Sequence, residues 1–438
     1  MAKKLLFAFI FASCVSTSLA QNDYAKLDSL FTLLESNNKF MGSVAISQGG
    51  KVLYSKSVGV TNLYNKQRAT NATKYRIGSI SKMFTAAMIF KAVEDKKLSL
   101  DQTIDTYFPS IPNSKKITIS NLLNHRSGIY NITNSGDYWN YYTQPKTEAE
   151  MVAIIAKFKS DFEPNSKSDY SNSNYILLSY ILEKVYKKPY GQILTEKITT
   201  PLGLKNTYMG NRITLGKNEC YSFTYTEEWV AEKETDASIP LGAGAVVSNP
   251  TDLTLFIESL FAGKIISKTS LAQMTEIKEG YGMGVFQVPF DNRKGFGHTG
   301  GIDGFSSALC YFPDSNVSVA LTSNGNNYDN NQIMIALLST YYALPFEMPS
   351  FKTIALTEEA LDKYLGNFAS EELAMTIKVT RKADKLFAQA TGQGEFPLEA
   401  TKTDTFEFLA AGIKIKFDLP NNQMTLVQAG KSYIFRKV

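Results

Sequence analysis

Tyr75-Arg76-Ile77-Gly78-Ser79-Ile80-Ser81-Lys82-Met83-Phe84-Thr85-Ala86 is the stretch on which the reading of this chain turns. Met83, Ala86, Ala87, Phe90 and Val93 recur at helical spacing, which predicts a helix over 81–94 entered by a sharp turn at Gly78-Ser79. If Ser79 opens that helix, its hydroxyl and the Lys82 amine lie on one face of the first turn. A serine hydroxyl is a weak nucleophile until a base takes its proton, and a desolvated lysine, or one near other cations, loses enough pKa to do so. Backbone N–H groups at a helix start can also stabilise a developing oxyanion. Taken alone, the spacing equally suits a capping serine and a solvated lysine.

Two further elements stand downstream. Tyr170-Ser171-Asn172 precedes an apolar-periodic helix over 176–185. A tyrosine close to a cation ionises more easily than a free phenol and can relay a proton, whereas Asn172 could equally cap the helix. Gly297-His298-Thr299-Gly300-Gly301 comes before a strand over 305–312. Its glycines would let a substrate backbone lie along a strand edge, with His298 and Thr299 as polar contacts and the Gly301 N–H completing an oxyanion hole. A plain glycine-rich hairpin is the alternative.

Outward from these elements, Leu27, Leu30, Phe31 and Leu34 predict an amphipathic helix. Strands over 43–47 and 52–58 flank Gly49-Gly50 as a hairpin. Tyr130 to Tyr142, rich in Asn, Gly, Tyr and Trp, reads as a long surface loop, and 201–206 and 240–248 read as turn-rich connectors. Strands are expected over 282–288, 305–312 and 317–322, followed by a helix over 332–342. Early strands, helical middle and late strands together predict one sheet built from both ends of a domain, with a helical region inserted. Pro345 to Ser350 reads as a linker. Beyond it, short alternating runs from Thr376 to Val438 predict a small antiparallel β domain.

The chain has 438 residues, enough for two or three structural units. Hydrophobic residues at 44% and charged residues at 20% place it among globular proteins. A net charge of +5, with Lys and Arg scattered, excludes a basic nucleic-acid groove. Lys3 and Lys4, the apolar run 5–12 and Ser18-Leu19-Ala20 read as a signal peptide cleaved near Ala20. The run is too short for a transmembrane anchor, and export to a secreted or periplasmic location is expected. Cys14 offers a second route, as a lipid-attachment cysteine. Cys220 and Cys310 could pair in one disulfide. With only His125 and His298, and no zinc-ligand spacing, neither a metal nor a cofactor is expected.

Ser-x-x-Lys, then Tyr-x-Asn about ninety residues later, then His-Thr-Gly before a late strand form a set that chance rarely supplies. Residues 21 to about 345 thereby resemble the serine β-lactamase-like and penicillin-binding-protein family, which includes class C β-lactamases, D-alanyl-D-alanine carboxypeptidases, D-aminopeptidases and esterases. Leu122-Leu123-Asn124-His125-Arg126-Ser127-Gly128 is similar to that family's loop, with Arg126 where Thr is usual, and Leu98-Ser99-Leu100-Asp101, Pro201-Leu202-Gly203-Leu204 and Gly242-Ala243-Gly244 also resemble family landmarks. The resemblance implies an α/β fold, with a β-lactamase/transpeptidase-like antiparallel sheet flanked by helices, an inserted helical region and a small C-terminal antiparallel β domain.

It further implies an acyl-enzyme hydrolase. Ser79 would be its nucleophile, Lys82 and Tyr170 would share the general-base work, and Asn172 would hold both substrate amide and Lys82. His298, Thr299, Gly300 and Gly301 would bind substrate, and the Ser79 and Gly301 N–H groups would form the oxyanion hole. His298, where many β-lactamases keep Lys, would hold a carboxylate less well, while His125 would be structural. The substrate would be a D-amino-acid peptide, ester or lactam, with D-alanyl-D-alanine carboxypeptidase or D-amino-acid peptidase activity ahead of β-lactamase or carboxylesterase activity. The implied division is signal peptide 1–20, hydrolase domain 21–345, linker 346–355 and β domain 356–438. A Ser-His-Asp hydrolase is the nearest rival, but its G-x-S-x-G elbow is missing. A non-catalytic cell-wall peptide binding or sensor protein is the alternative of another class.

Overall fold

The computed structural model describes residues 24–428 and 431–438. The expected leader, with Cys14 and Ala20, lies outside the described residues. Strands Phe40–Gln48 and Lys51–Val58 form the anticipated hairpin, and Gly49 and Gly50 take the positive φ angles of 59° and 84° that its tight turn requires.

The main sheet runs in the order Phe286–Phe290, Arg293–Ile302, Phe305–Phe312, Val317–Asn326, Phe40–Gln48, Lys51–Val58. All neighbours on that path are antiparallel, so strands from the two ends of the domain meet at its centre, with Val44 opposite Leu321. Both central strands are buried on both faces. Val44, Ile46, Val319 and Leu321 pack under helices Ala25–Ser36 and Asn330–Tyr341 on one side. On the other face, Ser47 Oγ donates to Thr254 and Ser318 Oγ to Glu258, which ties helix Pro250–Phe261 to the sheet. Small hydroxyl side chains there let a helix approach closely while their own polar atoms stay satisfied.

The inserted helical region has its own core, built around helix Ser81–Glu94 and helix Asn172–Tyr186. Phe84 stacks on Phe256 with centroids 3.7 Å apart. Helix Ser81–Glu94 is buried on nearly every face, so it lies inside the domain with water excluded from both sides.

Eight strands from Gly366–Ser370 to Lys431–Lys437 close into a barrel, the first pairing with the last through Phe368↔Lys437 and Ala369↔Arg436. Phe368, Leu386, Phe406, Ile415, Met424 and Phe435 fill it, so it is a packed core, and closure leaves no free sheet edge. The barrel rests on the preceding part of the chain where Lys39 pairs with Glu399 at 3.7 Å and Leu409 packs against the cluster under the terminal helices.

Three expectations need correction. Tyr130 to Tyr142 is not a mere surface loop: Ile132 is fully buried, and a 3-10 turn Ile132–Asn134 and a short helix Tyr138–Tyr141 seat it against the helical core. Residues 240–248 include strand Val246–Ser248, the centre of a three-stranded sheet with Tyr75–Arg76 and Tyr208–Met209. The strand expected over 282–288 begins only at Phe286, because Gly284 takes a φ of 80° and turns the chain over Lys82. Cys220 and Cys310 are both free, and they lie in different buried clusters. Burial pushes the Cys310 thiol up to about 12.

Candidate active site

Ser79 sits in a 3-10 turn, Gly78–Ile80, that leads into helix Ser81–Glu94. Gly78 holds a φ of 50°, and a Cβ added to it would lie 2.6 Å from Gly301 N. A Cβ on Gly300 would lie 2.1 Å from Ile77 O and 3.0 Å from Ser79 N. Nucleophile turn and strand Arg293–Ile302 therefore touch backbone to backbone, which only glycine allows. The contact sets the Ser79 and Gly301 amides across one junction, the arrangement an oxyanion hole requires.

One turn on, the fully buried Lys82 amine is 2.9 Å from Ser79 Oγ, 2.8 Å from Asn172 Oδ1 and 2.7 Å from Ala243 O. Burial, with no acidic partner among the described residues, pushes it well below the ordinary lysine range. Asn172 Oδ1 and Ala243 O can only accept. An uncharged amine gives its two hydrogens to them and turns its lone pair to the Ser79 hydroxyl, which is the geometry of a general base.

Tyr170 hydrogen-bonds Ser79, and its ring lies 5.0 Å from Lys82 Nζ. The expectation of an easily ionised phenol is reversed: burial raises Tyr170 far above the ordinary tyrosine value. In this position it is a neutral phenol. Its floor is the buried His125 ring, 4.5 Å away, whose Nδ1 accepts from Ser171 N at 3.2 Å. Arg126 lies beside it, bonded to Asn165, Ser168 and Glu279, and so anchors the segment that leads into Tyr170.

Asn172 begins its helix; the N-cap is Ser171, which makes no side-chain capping bond. Its Nδ2 donates to Asn131 Oδ1 at 3.3 Å and Thr133 Oγ1 at 3.1 Å, so both amide hydrogens are engaged by the protein. Asn131, Thr133 and the Ala243 carbonyl are site elements that the sequence reading did not assign.

Gly297, His298, Thr299, Gly300 and Gly301 come ahead of strand Phe305–Phe312, as expected, and themselves lie within strand Arg293–Ile302. The neighbouring strand pairs only as far as Gly297, so from His298 onward that edge is open. Thr299 and Gly301 are exposed, while His298 is buried, packed 4.3 Å from Phe286 and 6.3 Å from Tyr170. His298 Nδ1 donates to Thr299 O at 2.5 Å, leaving Nε2 as a buried acceptor with no partner among the described residues. Burial lowers His298 to about 3, so it is neutral and not partly charged.

A cavity of about 380 Å³ opens beside Ser79. Ile132, Ile176, Ile239 and Ile302 form its apolar wall, Tyr138, Trp139 and Tyr142 its aromatic rim, and Glu232, Lys233 and Thr235 its far side. Among the described residues no group of three or more His, Cys, Asp or Glu is placed to hold a metal ion, and no helix is long and apolar enough to cross a membrane.

A serine bonded to a buried amine and a neutral phenol, beside a glycine-lined strand edge, is the equipment of a serine hydrolase that works through an acyl-enzyme. Residues 33–338 match the Beta-lactamase family and residues 352–437 match a domain of unknown function, DUF3471. The chain belongs to the Beta-lactamase family and is a serine hydrolase of that family. It is 25% identical to penicillin-binding protein 4* of Bacillus subtilis (strain 168), over 95% of this chain and 97% of that one. It is 27% identical to the teichoic acid D-alanine hydrolase of Staphylococcus aureus (strain MRSA252), over 66% and 72%. The D-stereospecific amidohydrolase from Streptomyces sp. superposes with a TM-score of 0.61 at 26% identity, over 69% and 95%.

Proposed function

We propose that this chain hydrolyses D-aminoacyl esters and amides whose scissile bond carries no adjacent carboxylate. Ser79 attacks the carbonyl carbon and its proton passes to Lys82 Nζ. The oxyanion is received by the N–H groups of Ser79 and Gly301, and as it collapses Tyr170 hands its proton to the departing group and takes one back from the Lys82 ammonium, which leaves the amine free again. Water then releases the acid from Ser79. Asn172 keeps the Lys82 amine aimed, and Thr299 and the open edge beside His298, Gly300 and Gly301 receive the substrate backbone.

The observation that carries this reading is the neutral, buried His298 where a carboxylate-binding cation would stand. Among the described residues lining the cavity the one cationic side chain is Lys233, which is exposed. A free C-terminal carboxylate would be desolvated there without a partner. The amidohydrolase and the D-alanine hydrolase to which the chain is similar support a D-aminoacyl substrate. The same reading makes 1–20 an export leader, which would put the enzyme in a secreted or periplasmic location, and 21–345 the hydrolase unit, joined by 346–355 to the barrel unit 356–438.

A panel of D-alanyl esters, D-alaninamide, a D-Ala-D-Ala peptide and nitrocefin, run with intact-mass detection of a fluorophosphonate adduct, tests it. Ester and amide turnover at least tenfold above the peptide, with an adduct lost in Ser79→Ala, is expected. Faster turnover of the carboxylate-bearing peptide, or no adduct, would overturn it.

A further inference from the structure

Behind the cavity lies a buried ion pair that the hydrolytic steps leave unused. Arg76 is three residues before Ser79 and Asp303 two residues after Gly301. Arg76 Nη1 is 3.1 Å from Asp303 Oδ2, and the two side chains are 5% and 2% exposed. The remaining guanidinium donors reach Thr235 O at 2.7 Å, Asn211 O at 3.0 Å and Glu234 Oε2 at 3.1 Å. Asp303 Oδ1 accepts from Thr235 N at 3.0 Å and Thr235 Oγ1 at 2.6 Å.

The placement of this pair is specific. Asp303 sits in the hairpin tip between the paired residues Ile302 and Phe305, with a φ of 53°. Left-handed backbone is uncommon for residues other than glycine, though Asp and Asn tolerate it best. Arg76 lies in the short strand Tyr75–Arg76, directly ahead of the nucleophile turn. Between the two residues runs the glycine contact at Gly78, Gly300 and Gly301, supported by one side-chain bond, Ser307 Oγ to Ile77 O at 2.8 Å. Backbone lying on backbone with no side chain between is close but offers little resistance to sliding. A planar guanidinium held by two carboxylates and two carbonyls does resist it, because its donors are fixed in direction.

We propose that Arg76 and Asp303 are positioning residues for the hydrolytic reaction. Their pair holds the Ser79 and Gly301 N–H groups at the separation an oxyanion needs, and through Thr235 it fixes the far wall of the cavity. Asp303 and Thr235 both line that cavity, so one buried pair sets the oxyanion hole and the shape of the pocket beside it. A hole preset in this way costs no rearrangement when charge develops. The inference rests on Ser79 being the nucleophile.

Asp303→Asn keeps size and shape but removes the charge and sets an amide against the guanidinium. Its kcat on a D-alanyl ester and its rate of Ser79 phosphonylation are expected to fall at least tenfold, with KM changed less than threefold. Arg76→Lys, which keeps the positive charge but loses the fork, should lower both rates by less than Asp303→Asn does. A pair that merely stabilised the fold would lower Tm and leave both rates, per folded molecule, unchanged. Folded Asp303→Asn with both rates within twofold of the parent overturns the proposal. Should that variant fail to melt cooperatively, Thr235→Val is read instead: it removes one bond to Asp303 and is expected to cost two- to fivefold in both rates, and no change overturns the proposal. A parent that takes up no phosphonate at Ser79 refutes the nucleophile assignment itself, a different result from a labelled parent matched by its variants.

Discussion

The Lys82 amine stands 2.9 Å from the Ser79 hydroxyl, buried where the described residues offer it no carboxylate. Burial disfavours the charged form of an amine so placed, so the base that Ser79 needs becomes free at a lower pH than an ordinary lysine would allow. The protonated form is the inactive one. The rate constant kcat/KM should therefore climb with pH and level off, with its midpoint well below the 10.5 of an ordinary lysine. Lys82→Arg cannot shed its proton and should lose roughly 10²- to 10⁴-fold at every pH. A pH–rate profile whose rise centres at or above the ordinary lysine value would contradict this.

Tyr170 bears on a different step. Because it remains a neutral phenol bonded to Ser79, Tyr170→Phe keeps the ring packed on His125 and removes only the hydroxyl. We expect kcat to drop by about 10²-fold or more while KM stays within a fewfold, since proton transfer and not binding is lost. Steady-state kinetics on one ester will check it; equal kcat in variant and parent would remove the hydroxyl from the reaction.

His298 links the site to acid stability. Its folded value of about 3 lies below the 6.5 of the unfolded chain, so between those values the unfolded state binds more protons. The associated stability is complete above about pH 6.5 and is lost as pH falls toward 3, on the order of 5 kcal/mol in full. His125, also lowered by burial, acts in the same direction. His298→Asn should flatten the decline in urea-unfolding free energy between pH 6.5 and 4. A gap between parent and variant that does not change with pH would count against a neutral ring.

Arg126 joins three stretches of chain: its own loop, the turn at Asn165 and Glu279. Its side chain is 4% exposed, while Asn165 and Glu279 are exposed, so Arg126→Ala mainly empties a packed site and unties those stretches. A cost of about 1–2 kcal/mol is expected, with a fall in kcat as the segment entering Tyr170 loosens. Chemical denaturation and kinetics on the same preparation test both parts; full activity with full stability would show that the loop holds without it.

Much of this was legible in the residues themselves. Ser79, Lys82, Tyr170 and Gly301 converge because each belongs to a motif with its own spacing, and the helix Ser81–Glu94 is visible in its apolar repeat. The Ala243 carbonyl was invisible for the opposite reason: every residue carries one, and only the fold selects which meets Lys82. Asn131 and Thr133 lay in a stretch whose composition resembles a loop, since nothing local reports that Ile132 inserts into the core beside them. Tyr170 was misjudged in sign, because proximity to a cation can be guessed from motifs whereas desolvation is a property of everything packed around a group.

The pairing of Phe40–Gln48 with Val317–Asn326 also governs how the protein is made. A ribosome exposes the first of these strands some 270 residues before its partner, so the centre of the sheet stays unzipped through most of synthesis and closes only near the end of the domain. Contacts this distant in sequence slow folding and leave apolar strands open to misassociation meanwhile. Yield in a recombinant host should accordingly respond to translation speed and chaperone supply more than to any single surface substitution.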